Sequence, residues 1–500
     1  MVYDFITRTV ARIIGIYDPE RMIRYLALHH AAQRGYLAAK KGGPDGSWRT
    51  PHSTGAAENV AAWQAVTNKA RDLARNNPYI VGARRRFRSN IVSEGVWPRP
   101  KIRKPGAKSK FDLDTTLNQD ILDRWERWAP AAFANGDSLY KGQRTAANHF
   151  FDDGQFLVRR LLSKKWPYLR LELLECDHLD KTMDREAAKG QNRIVGGIEL
   201  DGYNKPVKYY ITRRHPAEAL SETETVDAKD IIHVFDRQRA SEVTGICGYA
   251  SVVQSIFRLN EYAYSTMDQA RLANHFGIWV ETPYPEDHLA MLQGDEKTAA
   301  GGTTRRYKTI SPASFHYGLP GEKVHQMRPE IPGSQYGPFM TKELQTTSVG
   351  AGVSYESISH DGSQTNFAGS RQLLLIERGY TRMALALFEE DFHSKVYQWF
   401  LEAERDFGRE PLAMPGYDSQ PWRYLRVRFS RALQEWVDPE KDANARMAKV
   451  NGGLSTLTDE CEDMGRDYEE IVATKAHEQA VRKAAGIEPQ DQPAPAKEEA

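Results

Sequence analysis

A chain of 500 residues exceeds what one hydrophobic core usually organises, so roughly two to four packed subregions are expected. An apolar content of 40% is ample for folding, but a mean hydropathy of −0.63 predicts a largely polar surface, as in an extended, loop-rich or assembly-forming chain. The net charge of +1 hides an uneven distribution: ten Lys/Arg against one acid from Arg84 to Lys110, and twelve acids against five bases from Asp459 to Ala500. Such asymmetry predicts separate interaction surfaces. Cys176, Cys247 and Cys461 match no metal or disulfide spacing and are expected to be buried reduced thiols, which fits a protein made in the cytoplasm. No apolar run approaches the ~20 residues that span a bilayer, so no membrane partner is expected.

Met1 to Tyr17 is mildly amphipathic (Phe5, Ile6, Val10, Ile13, Ile14) and lacks a signal-peptide core and a small-residue cleavage site, so a packing or scaffold-docking helix is expected. Lys40 to Gly55 reads as a linker. From Glu58 to Asn76 the residues Ala61, Val66, Ala70 and Leu73 recur at helical spacing until Asn77-Pro78 stops them, and a second helix should run on to about Val92. The basic stretch Arg99 to Lys110, with Pro100, Pro105 and Gly106, is expected to be exposed loop rather than strand.

Asn118 to Ala129 and Arg144 to Leu162 are further helical patterns. Strands are expected at Tyr168 to Leu174, Arg193 to Leu200, Pro206 to Thr212 and Ile231 to Phe235, with hairpin signals at Gly197 and Asp201-Gly202. A long helix from Tyr249 to Asn274, with Val252, Ile256, Leu259, Ala263 and Met267 on one apolar face, would be roughly 40 Å long. Gly277 to Gly337 returns to short strands and loops, Phe339 to Ser348 is a shorter helix, and Gly350 to Phe367 is a polar loop. Gly369 to Ala403 is another long helical pattern, through Leu373, Ile376, Tyr380, Met383, Leu387, Phe392, Val396 and Trp399. Asp438 to Ala485 reads as helical and Pro489 to Ala500 as a disordered tail. The order excludes a doubly wound nucleotide fold and predicts a mainly helical α+β chain.

Catalysis finds little support. Ser138-x-x-Lys141 has the spacing of a nucleophile pair, but the Lys-Thr-Gly and Ser-Asp-Asn partners that would accompany it are missing. His477-Glu478 lacks the second histidine of a zinc protease, and no phosphate-binding glycine loop occurs, so no P-loop ATPase is expected. Asp152-Asp153 and Asp459-Glu460 read as solvated surface, and His29-His30 needs no metal. No enzyme activity, cofactor or metal site is expected.

Several blocks, in order, resemble the lambda-type portal proteins of bacteriophages. They are Arg71 to Tyr79, Asn90 to Pro98, Asp230 to Phe235 with Thr244 to Gly248, and Leu319 to Val324. Gly352-Val353-Ser354-Tyr355-Glu356, continuing through Ser363 to Phe367 and Ser370-Arg371, is the most specific; Trp436 to Pro439 with Asn451 to Thr456 closes the series. The blocks cover about Glu58 to Gly486. The resemblance implies a portal fold of wing, stem, clip and crown, assembling into a ring, commonly of twelve subunits. It would place an N-terminal arm and linker at 1–57, wing at 58–247, first stem helix at 248–276 and clip at 277–333. Second stem helix, tunnel loop and long wing helix would follow at 334–350, 351–368 and 369–405, with the crown at 406–486 and the tail at 487–500. Implied partners are duplex DNA in the channel, the terminase large subunit, a head–tail adaptor protein, and the major capsid and scaffold proteins, at the portal vertex of the virion.

A DNA conduit must contain duplex without holding it. Duplex carries one charge per ~1.7 Å of axis, so a belt of lumenal lysines repeated around a ring would bind too tightly for sliding. The implied tunnel loop, Ala351 to Ala368, holds Glu356 and Asp361 and no Lys or Arg. Its candidate channel residues are Ser354, Tyr355, Glu356, Ser357, Asp361, Ser363, Gln364 and Asn366. On composition alone the segment reads rather as an ordinary surface loop, and the family resemblance reverses that balance. The basic residues Arg84, Arg85, Arg86, Arg99, Lys101, Arg103 and Lys104 form a candidate interaction patch, facing either DNA or, preferably, acidic surface on a neighbouring subunit. The alternatives are a free, non-catalytic DNA-binding protein built on residues 84–110, and an enzyme using unrecognised acids.

Overall fold

The first helix, α1 (Gly55–Asn76), exists because Ala56, Trp63, Thr67, Ala70, Leu73 and Ala74 share one buried face. Asn77, almost wholly buried, ends it and starts α2 (Pro78–Ile91): its Oδ1 accepts the Tyr79 and Ile80 N–H groups at 3.0 and 3.1 Å, with Pro78 in the first turn. The computed structural model describes residues 52–109, 112–217, 222–274, 278–281, 323–326, 333, 335–363, 366–430, 439–466 and 468–485. The expected helix at Met1 to Tyr17, the linker to Pro51, most of the segment 277–333, Gln364, Trp436 to Asp438 and the tail therefore lie outside the described residues. Those from Gly55 on belong to one unit.

Strand β1 (Pro98–Pro100) corrects the reading of an exposed loop at its start only: it pairs antiparallel with β11 (Val427–Phe429), while Lys104 to Gly106 form an exposed turn as expected. Lys101 N–H donates to Arg426 O at 2.8 Å and Ser430 N–H to Trp97 O at 2.9 Å. The odd-numbered residues thus face the partner strand, and both prolines occupy positions whose missing N–H points away. Next come α3 (Thr115–Trp128), capped by Asp114, and α4 (Leu139–Asp153), capped by Ser138. The Ser138/Lys141 spacing is this cap: Ser138 Oγ accepts the Lys141 N–H at 3.4 Å.

Helix α4 does not run on to Leu162 as the sequence pattern suggests. Gly154, at φ +76°, closes it, and β2 (Gln155–Leu162) follows directly. The apolar run Phe156-Leu157-Val158 is compatible with either element, and its pairing with β3 (Leu169–Leu174) and β8 (Ile231–Phe235) selects strand. A second sheet joins β4 (Arg193–Val195), β5 (Ile198–Leu200), β6 (Pro206–Thr212) and β7 (Thr223–Asp227) in chain order. The charged β7 escaped the sequence reading because only Val226 faces the core.

Helix α5 (Val253–Asn274) leads away and α6 (Tyr336–Ala351) returns beside it, with Tyr262 packed on Tyr336 and Phe339 at centroid distances of 5.7 and 5.2 Å. Between them β9 (Ile278–Glu281) and β10 (Lys323–Gln326) pair antiparallel. The expected polar loop after α6 contains a short helix, α7 (Tyr355–Ser359), because Ser354 caps it. Helix α8 (Phe367–Leu387) continues through a π turn at Phe388–His393 into α9 (Ser394–Phe407). The π turn carries Phe388, Phe392 and His393 into a core shared with Trp125, Trp128, Phe156 and Phe400. Burial pushes the His393 imidazole down to about 3, so it packs as a neutral ring. After β11 come α10 (Pro439–Asn451), α11 (Leu457–Asp463) and α12 (Tyr468–Ala484). The expected mainly helical α+β class is observed, and among the described residues no helix is long and apolar enough to cross a membrane.

Candidate functional site

The segment between α6 and α8 is built from its serines. Ser354 Oγ accepts the Ser357 N–H at 3.2 Å and lies 2.8 Å from Ser357 Oγ, while Ser359 Oγ donates to Tyr355 O at 2.8 Å. Tyr355 OH donates to Asp361 Oδ2 at 3.3 Å, and Asp361 Oδ1 accepts the Ser363 N–H at 3.0 Å. Asn366 caps α8 through Gly369 N–H at 2.8 Å. Ser363 and Asn366 are exposed. Glu356 is half-buried, with its Oε2 sealed from solvent. Ile358 is buried and anchors the segment in the apolar cluster that contains Ile80 and Ala83 of α2.

Beneath this segment sits Glu377 of α8, 3% exposed. Its Oε1 accepts Arg86 Nε–H at 2.7 Å and Asn90 Nδ2–H at 3.0 Å; its Oε2 accepts Ser354 N–H at 3.2 Å and Ser357 O–H at 2.8 Å. Burial pushes the carboxyl up, but the hydrogen bonds from Arg86 and Ser357 outweigh it and hold Glu377 below the usual carboxylate range. Sequence reading missed Glu377 because α8 looks apolar on another face. Leu373, Ile376, Tyr380 and Met383 make that stripe, yet Ile376, Tyr380 and Met383 are 52%, 54% and 67% exposed, while Glu377 and Thr381 point inward. Glu377 and Thr381, four residues apart, were the only available signal for a polar inner face.

Several of the basic residues are engaged by other parts of the chain. Arg84 pairs with Asp152 at 2.9 Å and Arg86 with Glu377. Arg99 donates to Gly465 O at 2.6 Å, and Lys101 lies 3.6 Å from Glu469 of α12. Arg103 forms an isolated backbone bridge with Leu113, while Arg85 and Lys104 are exposed. Arg99 and Lys101 thus join the basic stretch to the acidic stretch that begins at Asp459, and Arg428 pairs with Glu462 of the same acidic stretch.

Asp152-Asp153 is not a solvated pair, and of Asp459-Glu460 only Asp459 is exposed as expected. Asp153, fully buried, binds Arg71 Nε and Nη2 at 2.7 Å each and lies 3.2 Å from His149 Nδ1. Burial pushes the neighbouring Asp152 up to about 6 against the pull of Arg84. Glu460 is buried against Arg446 at 2.8 Å, and Asp459 bonds the α11 cap residue Thr456. The sequence places each acid far from its arginine, which is why the pairing was illegible. Glu175, Asp177 and His215 bring donor atoms within 4.8 Å of one another, but Arg71 already lies 3.2 and 2.8 Å from the two carboxylates and supplies the cation there. Cys176 and Cys247 are buried, as expected, and Cys461 is half-buried; all three are free thiols.

Residues 41–384 match the family model described as phage portal protein, lambda family. The probable portal protein of Halomonas phage phiHAP-1 is 24% identical over 468 residues, covering 88% of this chain and 85% of the relative. The portal protein of Escherichia phage N15 is 21% identical over 513 residues, covering 94% and 93%. Among solved structures, a chain from the virion of a native gene transfer agent particle aligns with a TM-score of 0.42 and 11% identity, over 86% of this chain and 94% of that one.

Proposed function

The chain belongs to the lambda family of phage portal proteins, and from that premise we propose that its copies close into a ring whose channel passes duplex DNA during packaging and ejection. A portal protein is a structural component of the virion, and its place is the portal vertex. The observation that carries the ring is the outward apolar stripe of α8. Leu375, Ile376, Tyr380 and Met383 face solvent in the single chain, and Phe257, Tyr264, Met267 and Phe339 do the same on the α5/α6 arm. Exposed apolar side chains repeated along a helix, on a chain with a polar exterior, fit an assembly face, and a second copy of the chain is its occupant.

On this reading the α5/α6 arm is the stem, with residues 277–333 as clip, and residues 351–368 border the channel. Residues 369–405 cross the wing and 406–486 form the crown. The lack of Lys and Arg in residues 351–368 supports the channel role, because Ser363 and Asn366 expose only weak, replaceable contacts for phosphate. The terminase large subunit, a head–tail adaptor at the clip, and the capsid and scaffold proteins are the partners this role requires, with a twelve-subunit ring as the family resemblance suggests. Negative-stain images of the concentrated full-length protein are expected to show rings with a central hole. Particles that stay monomeric at every concentration would contradict the proposal.

A further inference from the structure

A single carboxylate divides its two oxygens between the proposed channel loop and the wing. Glu377 Oε1 serves Arg86 and Asn90 of α2, and Oε2 serves Ser354 and Ser357 of the loop. We propose that Glu377 is the positioning residue for the channel loop, tying the placement of Ser354 to Asp361 to helix α2. The functional part of this inference rests on residues 351–368 bordering the DNA.

Three groups that meet the carboxylate can only donate: the Arg86 guanidinium, the Asn90 amide nitrogen and the Ser354 N–H. The Ser357 hydroxyl is the fourth, and it donates as well. A glutamine at this position would set its own N–H₂ against donors on one side or the other, so it can satisfy α2 or the loop but not both. Charge-assisted bonds to a buried carboxylate are the strong kind, and they are the loop's polar attachment. Its apolar attachment is Ile358, seated in the same cluster as Ile80 and Ala83. Removing the polar attachment alone should therefore loosen α7 without detaching it or disturbing the core around α9.

Hydrogen exchange of the full-length assembled protein tests this directly. Glu377→Gln and Ser357→Ala are each expected to speed exchange of the Ser357, Ile358 and His360 amides about tenfold, the loss of one charged or well-placed hydrogen bond. The amides of Trp399 to Leu401 should keep their native rates. Ser357→Thr, which restores the hydroxyl, is expected to return exchange to near native. Native exchange in Glu377→Gln, or acceleration that spreads equally to α9, would overturn the positioning role, as would Ser357→Thr behaving like Ser357→Ala. Exchange is read without DNA, so it is independent of the channel reading. If the loop loosens in Glu377→Gln rings while DNA packaging keeps its native rate, the positioning role stands and the channel reading fails.

Discussion

Replacing Arg71 by alanine is expected to destabilise the protein by about 3–5 kcal/mol, the cost of stranding buried charge by removing its partner. Arg71 holds Asp153, Asp177 and Glu175 together, at 2.7, 2.8 and 3.2 Å, and the Asp153 side chain has no solvent exposure. Without the guanidinium, the fully buried Asp153 keeps His149 beside it, and Asp177 keeps Gln64, His215 and the charge of Lys181. The effect has a definite pH dependence. Burial pushes Asp177 up, but the hydrogen bond from Gln64 and the charge of Arg71 outweigh it, leaving the carboxyl below its usual range. Stability from a depressed carboxyl is present above its unfolded value and lost as pH falls through the folded one. The gap between native and Arg71→Ala proteins in urea unfolding should therefore be widest near pH 7 and narrow below about pH 4, where the unfolded carboxylates protonate. An equal gap at pH 7 and pH 3 would show that lost packing, not charge, is the cause.

Gly154→Ala is expected to cost about 3 kcal/mol or more, from left-handed backbone and overpacking together. The residue sits at φ +76° between α4 and β2, and a Cβ there would lie 2.0 Å from the Ile246 carbonyl oxygen. That obstacle is backbone, in the link from β8 to α5, so it cannot step aside as a side chain end would. Gly202→Ala is the matched control: nothing lies within 4 Å of its would-be Cβ and its φ is unremarkable. The control should change stability by no more than about 0.5 kcal/mol. A Gly154→Ala protein with native thermal stability would mean that the β8–α5 link yields more readily than its packing implies.

These sites show where the sequence was readable. The helices α1, α2, α3 and α5 and the strands β3, β6 and β8 follow from periodicity with Pro, Gly and Asn stops, because local rules dominate there. The strand β1 was misread because prolines usually exclude strands, and only the register against Val427–Phe429 reveals that both point their nitrogens away from the partner. Arg144 to Leu162 was misread because Phe156 to Val158 fits a helix as well as a sheet, and the deciding partner, Ile231–Phe235, lies far along the chain.

The proposed channel segment stands out through the family blocks, and its candidate residues fall into a tightly bonded part, Ser354 to Asp361, and an exposed part at Ser363 and Asn366. What no local rule could supply was the carboxylate beneath it. Glu377 lies 20 residues from Ser357 and 291 from Arg86, inside a helix whose apolar stripe faces outward. Long-range ion pairs leave no periodic mark.

Residues 351–368 are proposed to border moving DNA, and the packaging rate of Ser363→Lys rings tests that placement most directly. Ser363 is exposed at the tip of the segment, so the added side chain should leave folding and ring assembly intact. Repeated around a ring, each added lysine contributes a phosphate contact of the counterion-releasing kind. Packaging is expected to slow at low salt and recover as salt rises, while Ser363→Gln keeps the native rate. A native packaging rate for Ser363→Lys at low salt would contradict the channel assignment.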